Sequence, residues 1–285
     1  MASLNPESDI SGFVNTVFEA ALLVARDNNF MPSTVRGFND RTGLALRKNS
    51  QYGGATMNQI AETDDLVGQA FTPANISTLT PVEFGAQYFM TDSRVESDPF
   101  SVRSDAAQDL GEAMATKIET SLMGHFDEFT AGTIGAAGSL ITWSYVMAME
   151  TALRIQKAPY PYSLVVSPAQ WFQLGKAASV ASTSANNTPE SLREAVNSTF
   201  FVRQAAGVSI FVSTNVETTS TNAYAGMYSR DALGFDLRRA PRLEPERDAS
   251  RRGTELNLSA VFAHGVWRPA YGVCGLFANS APDGT

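Results

Sequence analysis

From Arg36 to about Met90 the sequence offers no helical period, and that absence constrains the fold more than any motif does. Short β-prone pieces, Leu44-Ala45-Leu46 and Val82-Glu83-Phe84, flank a polar middle. The middle contains Tyr52-Gly53-Gly54, Glu62-Thr63-Asp64-Asp65, Gly68, Thr72-Pro73 and Thr80-Pro81. A long polar segment between two strand-like arms predicts an extended hairpin. A lone two-stranded ribbon buries too little to be stable in water. Such an arm is therefore expected to lie on another molecule, projecting from a body built elsewhere in the chain.

The body is expected to be helical at its front. Ile10, Phe13, Val14, Val17, Phe18, Ala21, Leu22 and Ala25 recur at three- and four-residue steps behind Asp9, a favoured N-cap. Asn28, Asn29 and Pro32 end that helix, and its apolar face, Phe13, Val17 and Phe18 above all, is expected to cover a neighbouring subunit. The clearest helix starts at Asp98 as N-cap with Pro99 at the first helical position. Val102, Ala106, Leu110, Ala113, Met114, Ile118 and Leu122 form its apolar stripe, while Asp105, Asp109, Glu112 and Glu119 form a face expected to be solvated. Gly124 and the run from Ala131 to Gly138 finish it.

An α/β half follows. Thr142 is expected to cap a helix through Trp143, Val146, Met149 and Leu153. Leu164-Val165-Val166 reads as a short buried strand, and Ser167-Pro168 starts a further helix. Val208 to Val212, Ala223 to Tyr228, Phe235 to Arg239, Glu255 to Val261 and Val273 to Phe277 are expected to complete one mixed sheet. Residues 179–191 and 216–222 read as exposed polar loops.

Chemistry is conspicuous by its lack. There is no nucleophile elbow, dinucleotide fingerprint or phosphate loop. One cysteine, Cys274, allows no intramolecular disulfide and no cysteine-rich zinc site, and it sits in an apolar strand as a small core residue. His125 and His264 read as packing or capping residues. Glu62, Asp64 and Asp65 lack the spacing of a calcium loop. No cofactor or metal is expected. A net charge of −8 does not suit a chain that grips nucleic acid through a bulk positive field. No apolar run reaches the length of a membrane span, and no secretory signal is recognisable, so a reducing cytoplasm is the expected site of synthesis. One charge cluster stands out: Arg238, Arg239, Arg242, Arg247, Arg251 and Arg252 interleave with Glu244, Glu246 and Asp248. A nucleic-acid groove wants aromatics between its arginines and few acids. The alternation suits intersubunit arginine–carboxylate pairs instead.

The order of these parts resembles the major capsid proteins of tailed bacteriophages with the Hong Kong 97-type fold. Ala61-Glu62-Thr63-Asp64-Asp65, the strand from Phe84 to Thr91 and the Asp98 helix are similar to that family's E-loop and spine helix. Leu164-Val165-Val166-Ser167-Pro168-Ala169-Gln170-Trp171 is similar to its strand–Ser–Pro–helix signature. Gly207-Val208-Ser209-Ile210 and Ala225-Gly226-Met227-Tyr228-Ser229 resemble its A-domain strands. Trp267-Arg268-Pro269-Ala270-Tyr271, followed by Val273 to Phe277, resembles its closing strand.

The resemblance implies an α+β fold with an N-terminal arm at 1–40, the E-loop and flanking strands at 41–92, and a P-domain with the spine helix at 93–161. It places an A-domain at 162–260 and a closing P-domain strand and tail at 261–285. It implies a structural protein, not an enzyme, forming hexamers and pentamers around double-stranded DNA in a virion, after assembly in the host cytoplasm. Portal and a separate scaffolding or cement protein would be its partners, with no membrane involved. Glu62, Asp64, Asp65, Phe71 and Pro73 would meet a neighbour through the E-loop. A helical arm starting within ten residues of Met1 predicts no cleaved scaffolding segment. The lysines Lys48, Lys117, Lys157 and Lys176 all lie outside the loop tip, which predicts no covalent cross-link. An encapsulin-type compartment of the same fold is the nearest alternative. A hydrolase using His264, or a tail or adhesion protein, is the more distant one.

Overall fold

The computed structural model describes residues 30–40, 42–52, 57, 59–60, 65, 68, 73–97, 101–178, 204–205, 207–219 and 221–280. The predicted amino-terminal helix with Phe13, Val17 and Phe18, the Asp98-Pro99 start and the 179–191 loop lie outside these residues.

The strands β1 (Arg36–Phe38), β2 (Arg47–Tyr52), β3 (Pro73–Leu79), β4 (Val82–Thr91), β5 (Thr133–Gly135), β6 (Tyr162–Val166), β7 (Gln204–Ala205), β8 (Val208–Val212), β9 (Thr218–Thr219), β10 (Asn222–Ser229), β11 (Leu233–Asp248), β12 (Gly253–Val266) and β13 (Gly272–Ala278) form three sheets. The helices are α1 (Met31–Thr34), α2 (Asp92–Ser97), α3 (Ser101–Met123), α4 (Trp143–Ile155) and α5 (Pro168–Ala178).

The expected single mixed sheet is in fact two. A seven-stranded sheet runs β5-β13-β10-β6-β8-β7 with β9 beside β10, and a four-stranded sheet runs β1-β11-β12-β4. Residues 233–260, expected to sit with the strands of 162–232, thus belong to the four-stranded sheet instead, where β11 pairs with β12 and β12 pairs with β4 from Phe262↔Val82 to Gly253↔Thr91. The closing strand β13 pairs antiparallel with β10 and parallel with β5. Hydrophobic patterning marks the longer strands but carries no record of their partners. Leu44 and Leu46 are exposed and precede the first arm strand, which starts at Arg47.

Local chemistry explains the elements that were foreseen. β6 is buried along its whole length because it lies between β10 and β8, so its alternation vanishes. Ser167 and Gln170 form a capping box at α5: the Gln170 backbone N–H donates to Ser167 Oγ at 3.2 Å, and the Ser167 N–H donates to Gln170 Oε1 at 3.1 Å. Thr142 is the N-cap residue of α4 by backbone conformation, without a side-chain bond. Gly226 lets β10 pass against the turn after α3, since a Cβ there would meet the Phe126 ring at 2.6 Å.

Two main cores result. Met149, Leu153, Leu164, Val166 and Phe277 fill one beside the seven-stranded sheet. Leu122, Met123, Phe126, Tyr228 and Phe262 fill the other, where the end of α3 meets both sheets. Cys274 is buried, and burial, with Asp127 nearby, pushes its thiol up to about 11.

The stripe of α3 holds at Leu110, Ile118 and Leu122, and Leu110 packs on Leu258 of β12. Glu119 corrects the reading of the opposite face. Its side chain is buried, and it accepts from the Phe30 N–H at 3.2 Å and from Asn215 Nδ2 at 3.0 Å. One carboxylate thereby ties the front of the chain to the turn after β8. Glu119→Ala is expected to cost about 2–4 kcal/mol in denaturant unfolding, because two donors lose a charged acceptor, while Glu119→Gln costs less. Equal costs for the two variants would show that the carboxylate's acceptor role is unimportant.

Candidate functional site

Among the described residues, no group of three or more His, Cys, Asp or Glu side chains could hold a metal ion. No described helix is long and apolar enough to cross a membrane. The features that ask for an explanation are an arm and a charged hairpin.

The arm is the two-stranded sheet β2-β3, which joins neither larger sheet. Its base is fastened by buried polar bonds. Asn49 Nδ2 donates to the Trp267 carbonyl at 2.5 Å, and Ser77 Oγ donates to the same oxygen at 3.1 Å. Arg47 Nε donates to Asp236 Oδ2 at 2.6 Å, its Nη2 meets Asp40, and its guanidinium lies 4.3 Å from the Phe38 ring centre. Burial opposes the charge of Arg47, but the bonds to Asp236 and Asp40 outweigh it and hold its pKa above the ordinary value. Of the residues expected to meet a neighbour, Asp65 is exposed and Pro73 opens β3. Glu62, Asp64 and Phe71 lie outside the described residues.

The arginine cluster occupies the hairpin of β11 and β12. Five of its six arginines, all but Arg252, lie within 4.0 Å of carboxylates of the same chain. Arg238 is buried, and its Nη2 lies 2.9 Å from Asp236 Oδ2, so Asp236 serves two guanidiniums. Arg239 pairs with Glu83 on β4. Arg242 lies 3.0 Å from Glu244, two residues along the same face of the strand. Arg247 forks onto Asp92 with bonds of 2.6 and 2.7 Å, which hold the Asp92 carboxyl below its usual range. Arg251 lies 3.7 Å from both Asp248 and Glu255. Glu246 stands directly opposite Glu255 in the ladder, a like-charge pair that Arg251 offsets. Arg252 sits in the turn at φ 51°, and its carbonyl accepts from the Asp92 N–H at 2.9 Å. The turn itself is built by Asp248, whose Oδ1 accepts from the N–H groups of Ser250 and Arg251 at 2.9 and 3.1 Å. The alternation of Arg and Glu is thus the two-residue period of a strand, with partners supplied by β11 itself, β4, β12 and α2.

A family profile described as phage capsid protein matches residues 75–274, from the arm's return strand to the last strand. This chain belongs to the phage capsid protein family. The solved structures it resembles include phage capsids, at low sequence identity. The capsid of the cyanophage P-SCSP1u is 15% identical with a TM-score of 0.64, over 88% of this chain and 89% of that one. A Mycobacterium phage Che8 structure is 15% identical with a TM-score of 0.63, over 82% and 85%. A virus-like particle from Pyrococcus furiosus is 10% identical with a TM-score of 0.59, over 92% and 98%. No curated protein sequence matches significantly.

Two features of this capsid protein were not read from its sequence. Asp236, Arg47 and Arg238 form a buried ion network across 189 residues of sequence. His125 Nε2 and His264 Nδ1 lie 2.8 Å apart across 139 residues. Charge inside an otherwise apolar strand, as at Asp236 between Phe235 and Leu237, was the available signal for the first. The second had none beyond the presence of just two histidines.

Proposed function

We propose that this protein is the shell-forming subunit of an icosahedral tailed-phage capsid with the Hong Kong 97-type fold, assembling as hexamers and pentamers around double-stranded DNA. The observation that carries this reading is the arm. It is a ribbon whose described bonds to the body lie at its base, and a two-stranded ribbon gains stability by lying on a neighbour. In this reading residues 1–40 are the N-arm, with Phe13, Val17 and Phe18 reaching another subunit. Residues 41–92 are the E-loop region, whose tip, from Glu62, Asp64 and Asp65 to Phe71 and Pro73, meets the next copy. The stretches 93–161 and 261–285 belong to the P-domain and 162–260 to the A-domain, although strand pairing crosses those bounds. Side chains of Arg242 and Arg251 are more than half exposed, at 54% and 68%, and keep donors for a neighbour's carboxylates. The net charge of −8 suits a lining that repels packaged DNA rather than binding it. Portal and a scaffolding or cement protein complete the assembly in the host cytoplasm.

Negative-stain electron microscopy with sedimentation tests this. Closed shells, or free hexamers and pentamers, are expected. A monomer or dimer that never assembles, even with its co-expressed neighbours, overturns the reading. The lysine placement adds a second expectation: boiled, denatured particles run as a single band near 30.6 kDa, and a ladder of multimers would show a covalent cross-link.

The likeness to a virus-like particle favours one second reading, a protein compartment of the same fold. Native particles holding a protein cargo in place of nucleic acid would select it.

A further inference from the structure

The chain passes between the two larger sheets three times among the described residues, and two of these crossings run side by side. Residues 124–132 lead from α3 to β5, and residues 267–271 lead from β12 to β13. The Thr130 N–H donates to the Pro269 carbonyl at 2.9 Å, and the Ala131 N–H donates to the Gly272 carbonyl at 3.2 Å. At the head of this crossing His125, just past the end of α3, faces His264, near the end of β12, with ring centres 5.1 Å apart.

We propose that His125 and His264 form a proton-operated clamp that holds the joint between the two sheets closed when the pair is neutral and releases it when both rings are protonated. A neutral pair shares one N–H between Nε2 of His125 and Nδ1 of His264 at 2.8 Å. With both rings charged, each of these nitrogens is a donor and the bond becomes a repulsion.

The surroundings decide which protonation step matters. Glu128 Oε1 lies 3.0 Å from His125 Nδ1. His264 has no such partner. The Phe84 and Phe262 rings flank it, and Phe235 is its ladder partner on β11. Lys117 of α3, whose ammonium sits 5.0 Å from the Phe84 ring centre, is the nearby cation. Asp127 and Glu128 are the acids of the turn after α3, and Glu217 stands beside Gly124. Arg268 of the second crossing segment donates to Tyr271 Oη at 3.2 Å. Burial first, then His125 and Lys117, hold His264 down to about 4.

The sign follows. Between pH 6.5 and about 4 an opened His264 binds a proton that the closed one refuses, so opening becomes more favourable as pH falls. The opening equilibrium is expected to rise roughly 100-fold from pH 7 to pH 4. The clamp is a property of the single chain and operates whether or not shells form.

Hydrogen exchange followed by mass spectrometry on the purified protein tests it, in whichever assembly state it adopts. Backbone amides of 124–132 and 267–272, corrected for intrinsic pH dependence, should lose protection between pH 6 and 4 while β6 does not. The slow exchange of the imidazole C2 hydrogens should report a depressed value for His264. His264→Gln should flatten the pH profile of the crossing segments. Lys117→Gln, at an exposed position, should move the His264 midpoint upward without unfolding risk. An ordinary value near 6.5 for His264, or a crossing-segment profile unchanged in His264→Gln, overturns the proposal.

Discussion

Asp236→Ala is expected to destabilise the folded chain by about 3–5 kcal/mol, because it removes the carboxylate shared by two buried guanidiniums. Asp236 has no exposed surface, and both Arg47 and Arg238 are buried. Arg47 retains Asp40, but that carboxylate is 60% exposed and cannot replace the buried contact. Arg238 loses the carboxylate it pairs with, and among the described residues no other lies in its reach. The loss should also free the arm at its base, since Arg47 begins β2 while Asp236 lies on β11. Denaturant unfolding measures the first effect, and limited proteolysis between Arg47 and Leu79 measures the second. Replacing Arg47, Asp236 and Arg238 together by Met, Leu and Met should cost less than the sum of the single changes, because none of the three charges then remains buried without its partner. A cost for Asp236→Ala below about 1 kcal/mol would mean that the two arginines find other acceptors.

Leu110→Asp is expected to prevent folding. Leu110 is 1% exposed and packs on Leu258, with Ala86, Met114 and Leu243 around it. Truncating a buried Leu to Ala alone costs about 2–5 kcal/mol, and an unpaired buried carboxylate adds several more. That sum rivals the whole stability of a typical domain, about 5–15 kcal/mol. The expected result is insoluble protein, or soluble protein without cooperative unfolding. Leu110→Ala is the control: it should fold with reduced stability. A Leu110→Asp protein that folds and assembles normally would place the stripe of α3 on another face.

The local patterns of the sequence proved legible wherever the environment was one-sided or uniform. The stripe through Leu110, Ile118 and Leu122 marks α3 because a helix on a sheet needs one apolar face. β6 is legible because a strand covered on both faces needs an unbroken apolar run. Ser167 and Gln170 announce α5 because their spacing satisfies two backbone donors at once. Glu119 misled for a physical reason: a carboxylate on the polar side of a helix looks the same whether water or the Phe30 N–H and Asn215 will satisfy it.

The arginine hairpin shows the same division. Its alternation predicted ion pairing, and the pairs exist, yet the partners are Asp92, Glu83 and Asp236 within the chain. Charge pattern specifies that pairing is needed and leaves the partner open, because a carboxylate's position in sequence does not fix its position in space.

The sequence by itself therefore determined several elements of this capsid protein, α3, α4, β6 and α5 among them, and the lack of recognisable catalytic motifs. Those are local properties, written in periodicity, caps and composition. Only the tertiary structure decided that the strands divide into two sheets, that Asp236 joins Arg47 to Arg238, and that the two histidines meet. Each of these is a contact between residues more than 100 positions apart or a choice among equally apolar strands. Such choices rest on which packing of the whole chain buries the most surface while leaving the fewest charges unpaired.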